Sequence, residues 1–306
     1  MSEHELRPPV YWKMTPIILT DVLEGIDKRA EVEISRTKEG EDFVDVHGEA
    51  VLDYDQLKQL IEGALRWLEL IGRPARGVAA DLGSGTGVGA CILSKHAAFR
   101  EIFAIEYSEQ QVLQMMPVVF RDFQADVQKI QRVVGDFNNL ELPNDSLGLI
   151  VEIGSYHHSE DLDLSAREAY RVLRPGGAVI AIDRAWPDET PQAELDARLD
   201  KELPPGLKKK YGIPEDKHFT RRDFGEHEHP LGRWETVFQN AGFTSFTLRQ
   251  GHPPRFNSLL LRLPTFDFSI RRAAGQYRRG KRRSTVYGWE AQRYILIFMK
   301  PGVRED

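Results

Sequence analysis

Three glycines at alternate positions, Gly83, Gly85 and Gly87, follow Asp81 in the stretch ADLGSGTG, directly after the apolar run Val78-Ala79-Ala80. A glycine-rich turn between a strand and a helix lets backbone approach a ligand and presents the N–H groups of the helix start. Many sites use such a turn, so the spacing has to discriminate. A dinucleotide fingerprint would require glycine at Val88, and a phosphate-binding P-loop would require a lysine after the turn. The chain has neither. Asp81, Gly83, Ser84, Gly85 and Gly87 therefore line a pocket for something other than a pyrophosphate.

Acidic residues recur where an adenosine-bearing ligand needs them. Glu106 lies about twenty residues beyond the loop, at a strand end, where a carboxylate accepts from both ribose hydroxyls; Tyr107 follows it. Gly135-Asp136-Phe137 ends another strand. There Asp136 is placed to accept from an exocyclic amine and Phe137 to pack on the ring. Glu152 stands in the next apolar run and joins the candidate binding residues. Carboxylates in this number suit a ligand that carries an ammonium and a sulfonium.

Gly154-Ser155-Tyr156-His157-His158 follows that run. The carboxyl ends of strands in open α/β sheets face the ligand crevice. Imidazoles there have pKa values near neutrality and can accept a proton from a hydroxyl nucleophile. His158 is the favoured base, His157 the second candidate, and Tyr156 a pocket wall. Asp161 and Asp163 read as the lead-in and cap of a helix from Ser165. Glu226-His227-Glu228-His229 would point two imidazoles the same way on extended backbone. With Glu160, Asp161 or His158 that pair has metal-ligand chemistry, but the segment reads as a solvated polar loop, and no metal site is assigned.

The elements that must hold these residues alternate. GVAADLG, EIFAIEY, QRVVGD, LGLIVEIG, GAVIAID, FTSFTLRQ and RYILIFMK predict seven strands, with helices between them. Leu57, Leu60, Ile61, Ala64, Leu68 and Ile71 predict an amphipathic helix stopped by Gly72 and Pro74. Ala166, Ala169, Tyr170 and Leu173 predict another, ending at Arg174-Pro175-Gly176-Gly177. Residues 1–53 form an N-terminal extension containing a predicted hairpin, and 54–306 the main domain. Its core spans 76–183 and 232–306, interrupted by insertions at about 184–230 and 251–291. The fold class is α/β: a Rossmann-like, doubly wound, mostly parallel seven-stranded sheet with helices on both faces and a cap built from the insertions.

The chain has 306 residues, a net charge of −6 and a single cysteine. Global attraction to nucleic acid and an internal disulfide framework are thereby excluded. No apolar run is long enough for a spanning helix, and MSEHELRPPV lacks a signal-peptide core, so a cytoplasmic location is expected. One segment inverts the charge: RRAAGQYRRGKRR, residues 271–283, has seven basic residues among thirteen and no acidic one. Its candidate partners are an anionic substrate or glycan, or a membrane surface, with nucleic acid disfavoured. Lys208-Lys209-Lys210-Tyr211 adds positive charge to the first insertion.

ADLGSGTG, the acid in FAIEYS, the VVGDF step and RVLRPGGAVIAID occur in one order over residues 76–185. In these features the chain resembles the class I S-adenosylmethionine-dependent methyltransferases. The resemblance implies that Asp81 to Gly87 line the methionine moiety, that Glu106 binds ribose, and that Asp136-Phe137 hold adenine. It implies S-adenosylmethionine as co-substrate and the first insertion as a substrate cap. The expected reaction is O-methylation of a polar small molecule or glycan hydroxyl. The alternatives are C-methylation of a quinone- or lipid-like acceptor, and a non-catalytic scaffold that binds an adenosine ligand.

Overall fold

A computed structural model of the chain describes residues 6–15, 54–210, 212–249 and 292–302. The predicted hairpin in the N-terminal extension, the insertion 251–291 with its basic run, and Tyr211 lie outside the described residues.

The described strands form one eight-stranded sheet. They are β1 (Val10–Tyr11), β2 (Gly77–Leu82), β3 (Phe99–Glu106), β4 (Ile130–Val134), β5 (Leu147–Ile153), β6 (Leu173–Ala185), β7 (Thr244–Arg249) and β8 (Gln292–Met299). Their order is β1-β4-β3-β2-β5-β6-β8-β7, with β8 antiparallel to both of its neighbours and the other pairings parallel. The seven expected strands are all present. The eighth, β1, pairs Val10 with Val133 and Tyr11 with Val134 on the outer edge. Two residues are too few to give a period, so this strand has no signature in the sequence.

Alternating side chains send the apolar residues of the sheet into two cores. Ala79, Ala104, Leu149 and Ile180 face the helices α1 (Tyr54–Leu70), α2 (Val88–Ser94) and α3 (Met116–Asp122). Ala80, Ile105, Ile150 and Val179 face α4 (Leu162–Val172) and α7 (Leu231–Asn240) across the sheet. A π-type turn, Gln111–Met115, leads into α3. The chain winds outward from β2 through β3 to β4, then returns to β5 on the other side of β2. That switch of direction opens a crevice at the carboxyl ends of β2 and β5.

Three local expectations shift. Ile71 lies just past α1, half-exposed, because Gly72 at φ 73° turns the chain and Arg73 N–H closes back on Leu68 O at 2.8 Å. The helix α4 begins at Leu162 rather than Ser165, since Asp161 caps it by accepting from Leu164 N–H at 2.8 Å. It ends at Val172, and Arg174 to Gly177 open β6 instead.

The insertion after β6 is more ordered than its weak periodicity suggests. It contains α5 (Gln192–Leu199), α6 (Pro205–Lys210) and a short turn at Arg222–Phe224 around a small core of Leu203, Phe219 and Phe224. Lys208 is buried there, bonded to Lys217 O at 2.6 Å and paired with Glu202, so it adds no exposed positive charge. Trp186 N–H donates to His229 O at 3.0 Å and Leu231 N–H to Trp186 O at 2.9 Å, which closes the cap onto the sheet. Among the described residues no helix is long and apolar enough to cross a membrane.

Gly148 marks the tightest approach in this framework, because a Cβ there would lie 2.0 Å from the backbone oxygen of Arg76. Gly148→Ala is expected to destabilise the fold by about 1–3 kcal/mol through forced overpacking. Urea denaturation checks this, and an unchanged midpoint contradicts the packing described.

Candidate active site

The glycine turn after β2 is shaped by contact on one side and opened on the other. At Gly83 (φ 58°) a Cβ would overlap the Ser155 side chain at 2.3 Å, so only glycine lets the turns after β2 and β5 touch. At Gly85 (φ 51°) a Cβ would meet nothing within 4 Å, so this backbone faces open space that a ligand can enter. Ser84 holds the turn to its neighbours, its N–H donating to Ile105 O at 2.9 Å and its hydroxyl to Asp81 O at 2.7 Å. Asp81 lies beneath the loop, fully buried, and accepts from Ala90 N–H at 2.7 Å. Burial pushes its carboxyl up to about 7, against the pull of the Ala90 N–H.

Glu106 ties the loop to the end of β3. One carboxylate oxygen accepts from Gly85 N–H at 2.8 Å and the other from Ser108 N–H at 3.0 Å. Asp136 accepts from Asn138 N–H and from Thr15 N–H, the latter at 2.7 Å. Phe137 stands edge-on to Tyr156 with ring centroids 5.5 Å apart. Gly83, Glu106, Tyr107, Asp136, Phe137, His158 and Glu160 line a shallow cleft that opens at the crevice. The other predicted residues support it from behind. Gly87 precedes α2, and Tyr156 is fully buried against Phe137, Trp234 and Phe238.

Glu152 lies under the turn after β5, where Ser155 N–H and Tyr156 N–H (3.1 Å) both donate to it. His157 is buried and its Nδ1 lies 2.8 Å from Asp183 at the end of β6. Burial, reinforced by the nearby Arg184 charge, holds its imidazole well below the usual histidine range. Burial, and then repulsion from Asp183, raise the Glu152 carboxyl well above the ordinary carboxylate range, and burial raises that of Asp183.

The segment Glu226–His229 is part of this assembly rather than a solvated loop. Arg184 and Arg221 both pair with Glu226 (2.8 Å from Arg184) and with Glu228 (2.6 Å from Arg221). Burial opposes the charge on Glu226, but the two guanidiniums outweigh it and hold the group well below the usual range. Trp186 Nε1–H donates to Glu228 at 2.6 Å. His227 donates its backbone N–H to His157 O at 2.7 Å, with its Nδ1 3.2 Å from the same oxygen. Its Nε2 lies 3.6 Å from Glu160. The rings of His227 and His229 are parallel within 1°, as the H-x-H pattern requires, with centroids 6.0 Å apart. Burial lowers His229 to about 4. Among the described residues no three His, Cys, Asp or Glu side chains converge as a metal site.

A second cleft, of about 440 Å³, lies under the cap between α5 and the start of α7. Gln192, Asp196, Arg222, His227, His229 and Arg233 are among its lining residues. Glu160 lines the first cleft and His227 the second, so the two adjoin at this pair. Sequence reasoning passed over Asp183, Arg184 and Arg221. Asp183 was open to detection, since it ends a strand at the same crevice as Glu106 and Asp136.

Comparison with known proteins agrees with this geometry. Residues 80–181 match the family model described as "Methyltransferase domain". A Galdieria sulphuraria structure, named as a candidate sarcosine dimethylglycine methyltransferase, superposes over 90% of this chain and 98% of its own, with a TM-score of 0.56 and 17% identity. A candidate methyltransferase from Bacillus halodurans C-125 covers 81% of this chain and 100% of its own, with a TM-score of 0.49 and 15% identity. The Haemonchus contortus phosphoethanolamine N-methyltransferase 2 in complex with S-adenosyl-L-methionine covers 74% of this chain and 49% of its own, with a TM-score of 0.46 and 17% identity. The chain carries a class I S-adenosylmethionine-dependent methyltransferase domain. Its methyl donor is S-adenosylmethionine, which the open Gly85 backbone, the Glu106 and Asp136 carboxylates and the Phe137 ring fit chemically.

The shifted Asp81 carboxyl has a measurable consequence. Folded, it keeps its proton up to about pH 7; unfolded, it loses it near its ordinary 3.8. The folded state therefore binds more protons between these values, and this stabilisation is lost as pH rises through 7. Asp81→Asn lacks the titration. The stability of wild type minus that of the variant is expected to fall by about 4 kcal/mol from pH 4 to pH 8. Denaturant melts across that range check it, and a flat difference contradicts it.

Proposed function

We propose that the enzyme methylates a hydroxyl oxygen of a polar small molecule or glycan held in the cleft under the cap. The observation that carries this reading is the meeting of the two clefts at His158, Glu160 and His227. On the donor side, Glu106 takes the ribose diol, Asp136 the adenine amine, Phe137 the ring face, and the turn from Asp81 to Gly87 the methionine portion. The bound donor supplies a methyl group made electrophilic by its sulfonium. The chain's own contribution is alignment, exclusion of water and proton removal.

His158 is proposed as the base. Its Nδ1 lies 3.2 Å from Phe224 O, and a carbonyl can only accept, so the proton of the neutral ring sits on Nδ1. Nε2 is then the basic nitrogen, on a residue that lines the donor cleft. His157 and Tyr156 act in this reading as supports, since both are buried beside the turn that carries His158. The polar lining of the second cleft supports a hydroxylated acceptor over a quinone- or lipid-like one. Arg222 and Arg233 in that lining are paired with Asp200 and Asp163. The basic run 271–283 remains a proposed contact for an anionic partner or surface. A cytoplasmic setting suits the single cysteine, Cys91, which is buried and free.

Release of S-adenosylhomocysteine in the presence of hydroxyl-bearing small molecules tests the reaction class. With an acceptor in hand, His158→Ala is expected to lower kcat by roughly 100-fold or more while S-adenosylhomocysteine binding is kept. Full activity in that variant removes the base assignment. Gly85→Arg and Glu106→Ala are expected to weaken donor binding in calorimetry, and binding untouched by both removes the donor-site assignment.

A further inference from the structure

Residues 6–15 follow an unusual course. They lie along the outer edge of β4, where Trp12 N–H donates to Val134 O at 2.9 Å and the Gln131 amide donates to Pro8 O at 2.8 Å. Pairing then stops and the segment crosses toward the mouth of the donor cleft. Lys13 N–H donates to Glu141 at 2.9 Å, and the Asn139 side chain donates to Lys13 O at 2.9 Å. Thr15 N–H reaches Asp136 at 2.7 Å. The Thr15 hydroxyl oxygen is buried beside this bond and has no partner among the described residues. Trp12 packs behind the same strand end, 3.1 Å from where a Gly135 Cβ would stand, and its ring leans on Phe103 at 6.3 Å.

Gly135 and Asp136 both line the donor cleft. Trp12 backs that wall and Thr15 orients its carboxylate. Each Asp136 oxygen accepts one N–H, and a carboxylate oxygen has room for two, so the group can hold the segment and a ligand amine together. The hold on the edge is otherwise slight: β1 has two residues, and Val10, Tyr11 and Met14 are exposed.

We propose that Trp12–Thr15 form a strap that closes the adenine end of the donor cleft, with Asp136 shared between the Thr15 amide and the donor. This rests on the donor site described above. Donor binding and strap docking then stabilise each other, and the coupling is reciprocal: whatever factor the strap adds to donor affinity, the donor adds to strap docking. Trp12 and Thr15 are positioning residues, since they act through Gly135 and Asp136.

The test uses the full chain with S-adenosylhomocysteine as the probe. Hydrogen exchange of the amides in residues 10–15 is expected to slow by roughly five-fold or more when the probe is added. A role in holding the edge strand alone would leave that exchange unmoved. In calorimetry Trp12→Ala and Thr15→Pro, the second removing the N–H that reaches Asp136 together with the hydroxyl, are expected to weaken binding by roughly five-fold or more, and Trp12→Phe to restore it. If exchange is unchanged by the probe and both variants bind like wild type while Gly85→Arg does not, the strap is overturned and the donor site stands. If the wild-type chain does not bind the probe, the donor site falls and the strap with it.

Discussion

The pair of buried carboxylates at the ends of β5 and β6 organises this site. Glu152 and Asp183 are both buried, at 0% and 2% exposure. Burial penalises charge on both, and repulsion from Asp183 adds to the cost of ionising Glu152. Both carboxylates accept from backbone amides. Glu152 fixes the amides of Ser155 and Tyr156, and Asp183 fixes His157 through its ring and its amide. The turn after β5 is thus pinned at three consecutive residues. Ser155 then presses on Gly83, His158 projects into the donor cleft, and the carbonyl of His157 points outward to receive His227. The glycine turn, His158 and the contact to the cap are all positioned from this one turn.

The cap is held by charge more than by apolar area. Its own core is three aromatic and aliphatic side chains, whereas its attachment to the sheet runs through Arg184, Arg221, Glu226 and Glu228. Arg184 directly follows Asp183, so the same strand end serves both halves of the site. Buried ion pairs add little net stability over well-packed apolar groups, yet breaking one leaves a costly unpaired charge. A cap so attached has one favourable seating and strongly unfavourable alternatives. That is what a cleft needs if an acceptor atom is to meet a methyl group at a fixed place.

Legibility in the sequence followed the range of the interactions. The strands β2 to β8, α1 and α4 show their periods within a dozen residues, and the spacing of ADLGSGTG, Glu106 and Asp136 follows from where a β-α-β chain must turn. What was not legible depends on contacts between distant residues. GSYHH and EHEH read as two constellations, a base pair and a solvated loop, because nothing local shows that His227 seats on the His157 carbonyl seventy residues away. The cap helices are short and partly polar, since charge holds them and an apolar stripe is not required. Residues 10–15 read as part of a generic extension, because their contacts with Asp136 and Glu141 lie more than a hundred residues downstream.

The charges are arranged in sequence across the site. Glu106 and Asp136 make the donor cleft acidic, imidazoles stand where the clefts adjoin, and Arg222 and Arg233 line the outer cleft. His158 and His227 each place Nδ1 against a backbone carbonyl, which assigns Nε2 as the basic nitrogen in the unprotonated ring. A cationic donor is attracted to the acidic side, and transfer of its methyl group removes that positive charge. The carboxylates that favour the donor therefore favour the demethylated product less. Glu160 stands 3.6 Å from His227 at the boundary of the two clefts. In the proposed site, loss of the sulfonium charge on transfer thus lowers the attraction of Glu106 and Asp136 for what remains.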